Sequence, residues 1–237
     1  MLKLNSSKVL LACIIAAISF NCNDGKTHTK EQNKSADTLT ANTNAVESHT
    51  SASPDTTNAN FNISIEGYKA TPLGQAAYSG DITEVQDLVA QGASIEKCLT
   101  DETYIYDILY TALVFNKTEL VRFILKNKFY SSLNETYTEE AETPLTLACS
   151  LANNSDALEI ADSLINLGAD VNGAGPSGGE RTMYPLLIAV KQNNVDLTKL
   201  LLEHRANKDI KNESGETPLT IAEKNGFQDI ATLLKGN

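Results

Sequence analysis

The 237-residue chain carries 19 Lys/Arg against 30 Asp/Glu, a formal net charge of −11, and 41% hydrophobic residues without a single Trp. That is enough apolar material for a sizeable core in one or two domains. The five Lys/Arg and five Asp/Glu of residues 1–60 cancel, so the whole acidic excess lies on residues 61–237. A surface of that sign argues against nucleic acid or anionic lipid as ligand and leaves a basic protein open as partner.

The chain begins with an address. Lys3 and Lys8 form a positive leader, and residues 9–20 are an apolar run, too short to cross a bilayer comfortably and suited to the core of a signal peptide. The run ends Ile18-Ser19-Phe20-Asn21-Cys22, which resembles the lipobox of bacterial lipoproteins. The resemblance implies a signal peptide over residues 1–21 and lipid attachment at Cys22. Asn21 departs from the Gly or Ala usual before the cysteine, so cleavage elsewhere, giving a secreted form, and an uncleaved anchor both stay open. Residues 22–60 are rich in Ser, Thr and Asn and poor in large apolar residues. Such a stretch cannot offset its ordering entropy by burial and is expected to be a disordered tether. Its root-mean-square reach is on the order of 35 Å.

A pattern then recurs from residue 61 to the end. Thr71-Pro72-Leu73 is followed by Ala76-Ala77, Gly80, Leu88-Val89 and Gly92-Ala93. Thr143-Pro144-Leu145 is followed by Ala148, Leu164-Ile165 and Gly168-Ala169. Thr217-Pro218-Leu219 repeats it with Ala222, Gly226 and Leu233-Leu234. Diverged copies start at Asp107 and Tyr184, so the anchors at 71, 107, 143, 184 and 217 step by 36, 36, 41 and 33 residues. Thr or Asp caps a helix, Pro fits its first position, and Gly ends the helix that follows. The first repeat is read as helices over 72–79 and 82–91, and the last helix over 227–235. Phe61, Ile63 and Ile65 alternate with polar residues and predict an extended lead-in.

A period near 33 with a Thr-Pro-Leu-x-x-Ala-Ala core resembles the ankyrin repeat. The resemblance implies an all-α repeat fold, a solenoid of about five helix-turn-helix units joined by β-hairpin loops. The His usual after Thr-Pro-Leu is missing; Gly74, Tyr110, Thr146, Leu187 and Thr220 stand in its place. The resemblance also implies a binding face made of hairpin tips and the outer ends of the first helices. Carried over by position, that face holds Tyr68, Tyr78, Tyr104, Tyr106 and Phe115 as aromatic anchors, with Glu139 and Glu140 to steer a basic partner.

Signals for chemistry are weak. Gly173-Ala174-Gly175-Pro176-Ser177-Gly178 matches a dinucleotide-binding string, but Pro176 removes one N–H and no helix pattern opens before Pro185. The overlapping Gly175-Pro176-Ser177-Gly178-Gly179 lacks the strand–turn–helix frame of a nucleophile elbow. None of His28, His49 and His204 has neighbours at metal-ligand spacing. Cys149 takes a small buried position, and Cys98 lies at an unlike position of another repeat, which disfavours a bridge between them. Glu139, Glu140 and Glu142 read as a solvated acidic hairpin. The expectation is a monomeric, non-enzymatic protein-interaction module without a cofactor, touching the membrane only through its lipid. Its place is the bacterial envelope, on an outer-membrane or periplasm-facing lipoprotein. Alternatives are an immunity or inhibitor protein that neutralises a toxin or enzyme, and a periplasmic stress-protection protein.

Overall fold

The computed structural model describes residues 60–138, 141–151, 153–173 and 183–236. The signal-peptide reading, Cys22, the tether, Glu139 and Glu140 lie outside them. So does all of the glycine-rich string except Gly173.

Each repeat opens with a short helix and returns through a second. The pairs are α1 (Pro72–Ser79) with α2 (Ile82–Ala90), α3 (Ile108–Val114) with α4 (Thr118–Asn127), and α5 (Pro144–Cys149) with α6 (Asn154–Asn166). Then follow α7 (Pro185–Lys191) with α8 (Val195–Glu203), and α9 (Pro218–Lys224) with α10 (Gln228–Lys235). The helices begin where the capping chemistry is. Thr71, Thr143 and Thr217 accept the N–H of Gly74, Thr146 and Thr220 at 3.1, 3.3 and 3.2 Å, each with Pro at the next position. Asp107 does the same for Tyr110 at 2.7 Å. Each such cap stabilises its helix by about 1 kcal/mol. Tyr184, at the matching place in repeat four, makes no side-chain cap bond.

The first helices stack on one another in order, α1 on α3, α3 on α5, α5 on α7 and α7 on α9. The second helices follow from α4 through α6 and α8 to α10. One continuous core results, in which Leu73, Leu109, Leu145 and Leu186 of the first helices are buried, with Val121, Ile160, Leu164, Leu201 and Ile230 of the second. Ala77, Ala112, Ala148, Ala189 and Ala222 show no accessible surface, so the first helices approach closely at these small side chains. Between the second helices, Arg122 of α4 ties repeat two to repeat three. Its guanidinium meets both carboxylate oxygens of Glu159 at 2.9 and 2.8 Å and Asp156 at 2.8 Å.

Repeat two ends without glycine, yet its helix closes like the others. Lys128 takes the left-handed conformation at φ 57°, and the Phe129 N–H reaches the Ile124 carbonyl at 3.0 Å. The same bond runs from Ala93 to Leu88, from Ala169 to Leu164 and from Ala206 to Leu201. A left-handed non-glycine residue costs about 1–2 kcal/mol, which the packing of the neighbouring repeats has to carry.

The lead-in is a strand. β1 (Ile63–Ile65) and β2 (Tyr68–Ala70) form one hairpin, β3 (Leu99–Thr100) and β4 (Ile105–Tyr106) a second, and all four make one antiparallel sheet in chain order. The register sets two faces. Ile63, Ala70, Leu99 and Tyr106 line up on the inner one, and Ser64, Lys69, Thr100 and Ile105 on the outer one. The sheet crosses close over α1. Thr71 donates its N–H to the Cys98 carbonyl at 3.0 Å, and a Cβ on Gly74 would lie 2.0 Å from that same oxygen. Only glycine fits there, which accounts for its presence where the family has His. Cys98 and Cys149 are both buried free thiols, and burial pushes both well above their usual range.

Candidate protein-binding face

Strands β1 and β2 pack against α1, and in the first two repeats the protein's own rings fill the contact between hairpins and helices. Tyr68 of β2 meets Tyr106 of β4 edge-on at 5.9 Å and Phe115, just past α3, at 6.2 Å. Tyr106 stacks on Tyr110 of α3 at 4.1 Å with an interplanar angle of 13°. Tyr110 meets Tyr137 at 4.8 Å, and Tyr78 of α1 meets Phe115 at 4.7 Å. Such pairs add about 0.5–1.5 kcal/mol each beyond the area they bury.

This geometry corrects part of the sequence reading. Tyr68 is 2% exposed and Tyr106 has no accessible surface, so neither offers itself to a partner. The cause is the strand register. Tyr68 pairs with Ile65 and Tyr106 with Leu99, which turns both rings inward. Tyr78, Tyr104 and Phe115 remain half-exposed. Glu142 is also corrected, since it is buried rather than solvated, and Thr138 donates its hydroxyl to the carboxylate at 3.1 Å. Among the described residues no cluster of His, Cys, Asp or Glu is arranged to hold a metal ion, and no helix is long and apolar enough to cross a membrane.

The half-exposed rings stand on a fixed backing. At the tip of the second hairpin, Asp101 accepts the N–H groups of Thr103 and Tyr104 at 3.0 and 2.8 Å. Its other oxygen accepts the Tyr106 hydroxyl at 2.9 Å. Thr100 donates its hydroxyl to the Tyr104 carbonyl at 2.7 Å. On the outer face of the sheet, Ile105 is 56% exposed, the most exposed of the large apolar residues described. On the helix side, Tyr78 donates its hydroxyl to Glu66 at 2.9 Å, and the Lys117 ammonium lies 5.5 Å from its ring centroid. The Glu66 carboxylate holds the Tyr78 phenol above its usual range. Two rings that matter here were outside the sequence reading of the face: Tyr110 and Tyr137 join repeat two to repeat three beneath it. Tyr110 carried a signal, an aromatic in the place of the family's His; Tyr137 carried none.

The other end of the stack is polar. In the matching position of the first helices, Tyr78 and Val114 give way to Ser150, Lys191 and Lys224. Lys224 bonds Glu216 at 2.8 Å, and that ammonium, with the Asn212 amide, holds the Glu216 carboxyl below its usual range.

Comparison with known proteins agrees with the architecture. A family model described as ankyrin repeats (3 copies) matches residues 73–175 and again 151–237. A protein of Arabidopsis thaliana that carries the name "Putative E3 ubiquitin-protein ligase XBAT35" is 32% identical over 129 residues, 54% of this chain and 26% of that protein. The nuclear factor NF-kappa-B p105 subunit of Gallus gallus is 31% identical over 166 residues, 70% of this chain and 16% of the relative. A protein of Escherichia coli (strain K12) that carries the name "Putative ankyrin repeat protein YahD" is 34% identical over 155 residues, 63% of this chain and 71% of the relative. The chain therefore spans only a small part of the first two relatives and most of the third. Capped helix pairs at the right period, their in-line stacking and these matches converge: the chain belongs to the ankyrin repeat family, whose repeats are protein–protein interaction modules.

Proposed function

We propose that this protein is a non-enzymatic binding module that presents the accessible rings of its first two repeats to a protein partner. The observation that carries the reading is the arrangement of Tyr78, Tyr104 and Phe115. They are half-exposed and rest on a packed aromatic bed. Rings held in place before binding lose little freedom on docking, and aromatic anchors dominate interface energetics. The acidic excess of residues 61–237 favours a basic partner.

We place the module at a bacterial envelope, held by lipid on Cys22 and set off from the membrane by residues 22–60. The support is the leader sequence and the lipobox-like string that ends at Cys22. Intact mass of the membrane-bound chain, beside Cys22→Ser, tests the anchor. A mature chain beginning at Cys22 with added acyl mass, absent in the variant, is expected; an unmodified chain cleaved elsewhere overturns it.

Binding is tested separately, by pull-down from the producer's envelope fraction with the full chain. A single stoichiometric protein, lost with Tyr104→Ala plus Phe115→Ala while thermal unfolding stays cooperative, is the expected outcome. Retention of that protein by the double variant would refute the aromatic face. Many substoichiometric proteins would instead favour a general protective role.

A further inference from the structure

The ring face of the first two repeats already holds a cation, and it is the protein's own. Lys117, the residue before α4, reaches back to repeat one, where its ammonium lies 5.5 Å from the Tyr78 ring centroid. Its stem runs along Gly80, where an added Cβ would lie 3.3 Å from the lysine Cδ. The matching residues before α2, α6 and α8 are Asp81, Asn153 and Asn194, and each caps its helix through a side-chain oxygen. Lys117 has no such oxygen and leaves α4 without a side-chain cap. Among the described residues no carboxylate pairs with its ammonium.

A carboxylate stands at the hydroxyl end of the same ring. Tyr78 donates its hydroxyl to Glu66 Oε1 at 2.9 Å, and among the described residues the other Glu66 oxygen has no partner. The ring itself is fixed, since Phe115 meets it at 4.7 Å and 85° and is in turn packed on Tyr68. Glu66 is exposed, and Tyr78, Phe115 and Lys117 are half-exposed.

A held aromatic face with a cation resting on it and a carboxylate at its rim selects a positive group. An ammonium is a point charge, and that of Lys117 covers the ring without pairing with Glu66. A guanidinium is planar, with N–H donors along its edge, so it can lie flat on a ring and point at a carboxylate beside it. We propose that the partner protein docks an arginine here, its guanidinium stacked on Tyr78 with an N–H directed to the second Glu66 oxygen, in the place that Lys117 keeps until then. The proposal rests on the aromatic binding face argued above and names the side chain that this face takes. Displacing Lys117 costs little, because an exposed ring contact is weak and the released ammonium regains water.

The test titrates the full chain with N-acetyl-arginine methylamide, its lysine analogue and its neutral citrulline analogue at constant ionic strength. Proton–carbon NMR follows the Tyr78 ring, assigned with Tyr78→Phe, and the Lys117 ε-methylene. The arginine probe is expected to shift the Tyr78 signals and to remove the ring-current shift of the Lys117 ε-methylene. The lysine probe is expected to bind about threefold more weakly, and citrulline about tenfold more weakly. Glu66→Gln keeps an acceptor for the Tyr78 hydroxyl and is expected to weaken arginine about threefold. Lys117→Met vacates the ring and is expected to strengthen it about threefold. Lysine or citrulline binding as tightly as arginine, an unmoved Tyr78 ring, or no gain in Lys117→Met overturns the proposal. The partner recovered by pull-down separates this outcome from that of the face. An affinity that falls with Tyr104→Ala plus Phe115→Ala but not with Glu66→Gln overturns the arginine anchor and leaves the aromatic face standing. An affinity untouched by the double variant refutes the face itself.

Discussion

Repeats two and five stand on the same plan, a capped first helix, a tight turn and a returning second helix, but they differ in their aromatic residues. In repeat two, Tyr106, Tyr110 and Phe115 fill the angle between hairpin and helix and meet Tyr68, Tyr78 and Tyr137 from either side. Repeat five carries no such rings; Lys224 pairs with Glu216 at 2.8 Å, and Thr217 and Thr220 are bonded to each other at 3.3 Å. Repeat five keeps the Thr-Pro-Leu sequence and closes with polar pairs near the surface. Repeat two has lost it and depends on ring packing across its neighbours. Departure from the repeat pattern has thus added ring contacts between repeats to a local cap that Asp107 still supplies. It has also placed the accessible rings at one end of the stack.

The comparison can be broken by substitution. Tyr106→Ala, which empties the centre of the ring cluster, is expected to cost about 4 kcal/mol of unfolding free energy in urea. A loss under about 1 kcal/mol would mean that the cluster does not hold repeats one to three together. Next comes Gly74→Ala, whose new methyl would meet the Cys98 carbonyl oxygen; about 3 kcal/mol is expected from the forced shift of the sheet. Gly215→Ala in repeat five meets no atom within 4 Å and has only its φ of +75° against it, so about 1 kcal/mol is expected. Equal losses at the two glycines would contradict the close crossing of sheet over α1.

Smaller effects sharpen the picture. Arg122→Met removes a part-exposed network on Asp156, Glu159 and Glu119. Solvent screening holds the expected loss to about 1 kcal/mol, diminishing in 1 M salt. Lys128→Gly relieves a left-handed residue and is expected to stabilise the chain by about 0.5–1 kcal/mol. A destabilising Lys128→Gly would show that the lysine side chain itself supports the turn.

Much of this fold could be read from the sequence, because the caps and turns are local chemistry. Helix 72–79 lies where Thr71-Pro72 and Gly80 put it, and the second helix ends at Ala90 rather than Gln91. The last begins at Gln228, one residue after Phe227. Cys149 is buried at its small position, as its place in the repeat implied. The face was less legible. Its residues were assigned by position along the repeat, whereas exposure in a strand is decided by which neighbour it pairs with. Tyr68-Lys69-Ala70 alternates, and pairing with Ile63–Ile65 turns Tyr68 and Ala70 inward together. The bond from the Tyr137 hydroxyl to Asp107 was invisible for another reason: the two residues are 30 apart, and nothing in either segment announces the other.

The account turns on where a partner docks, and site-specific photo-crosslinking in the producing cell measures that directly. A photoreactive side chain would replace Tyr104 on the second hairpin in one strain and Lys191 on the polar end in another. The account predicts one discrete adduct from position 104, absent when Phe115→Ala is added, and none from position 191. A discrete adduct from position 191 with none from 104 would contradict it and move the binding face to the polar end of the stack.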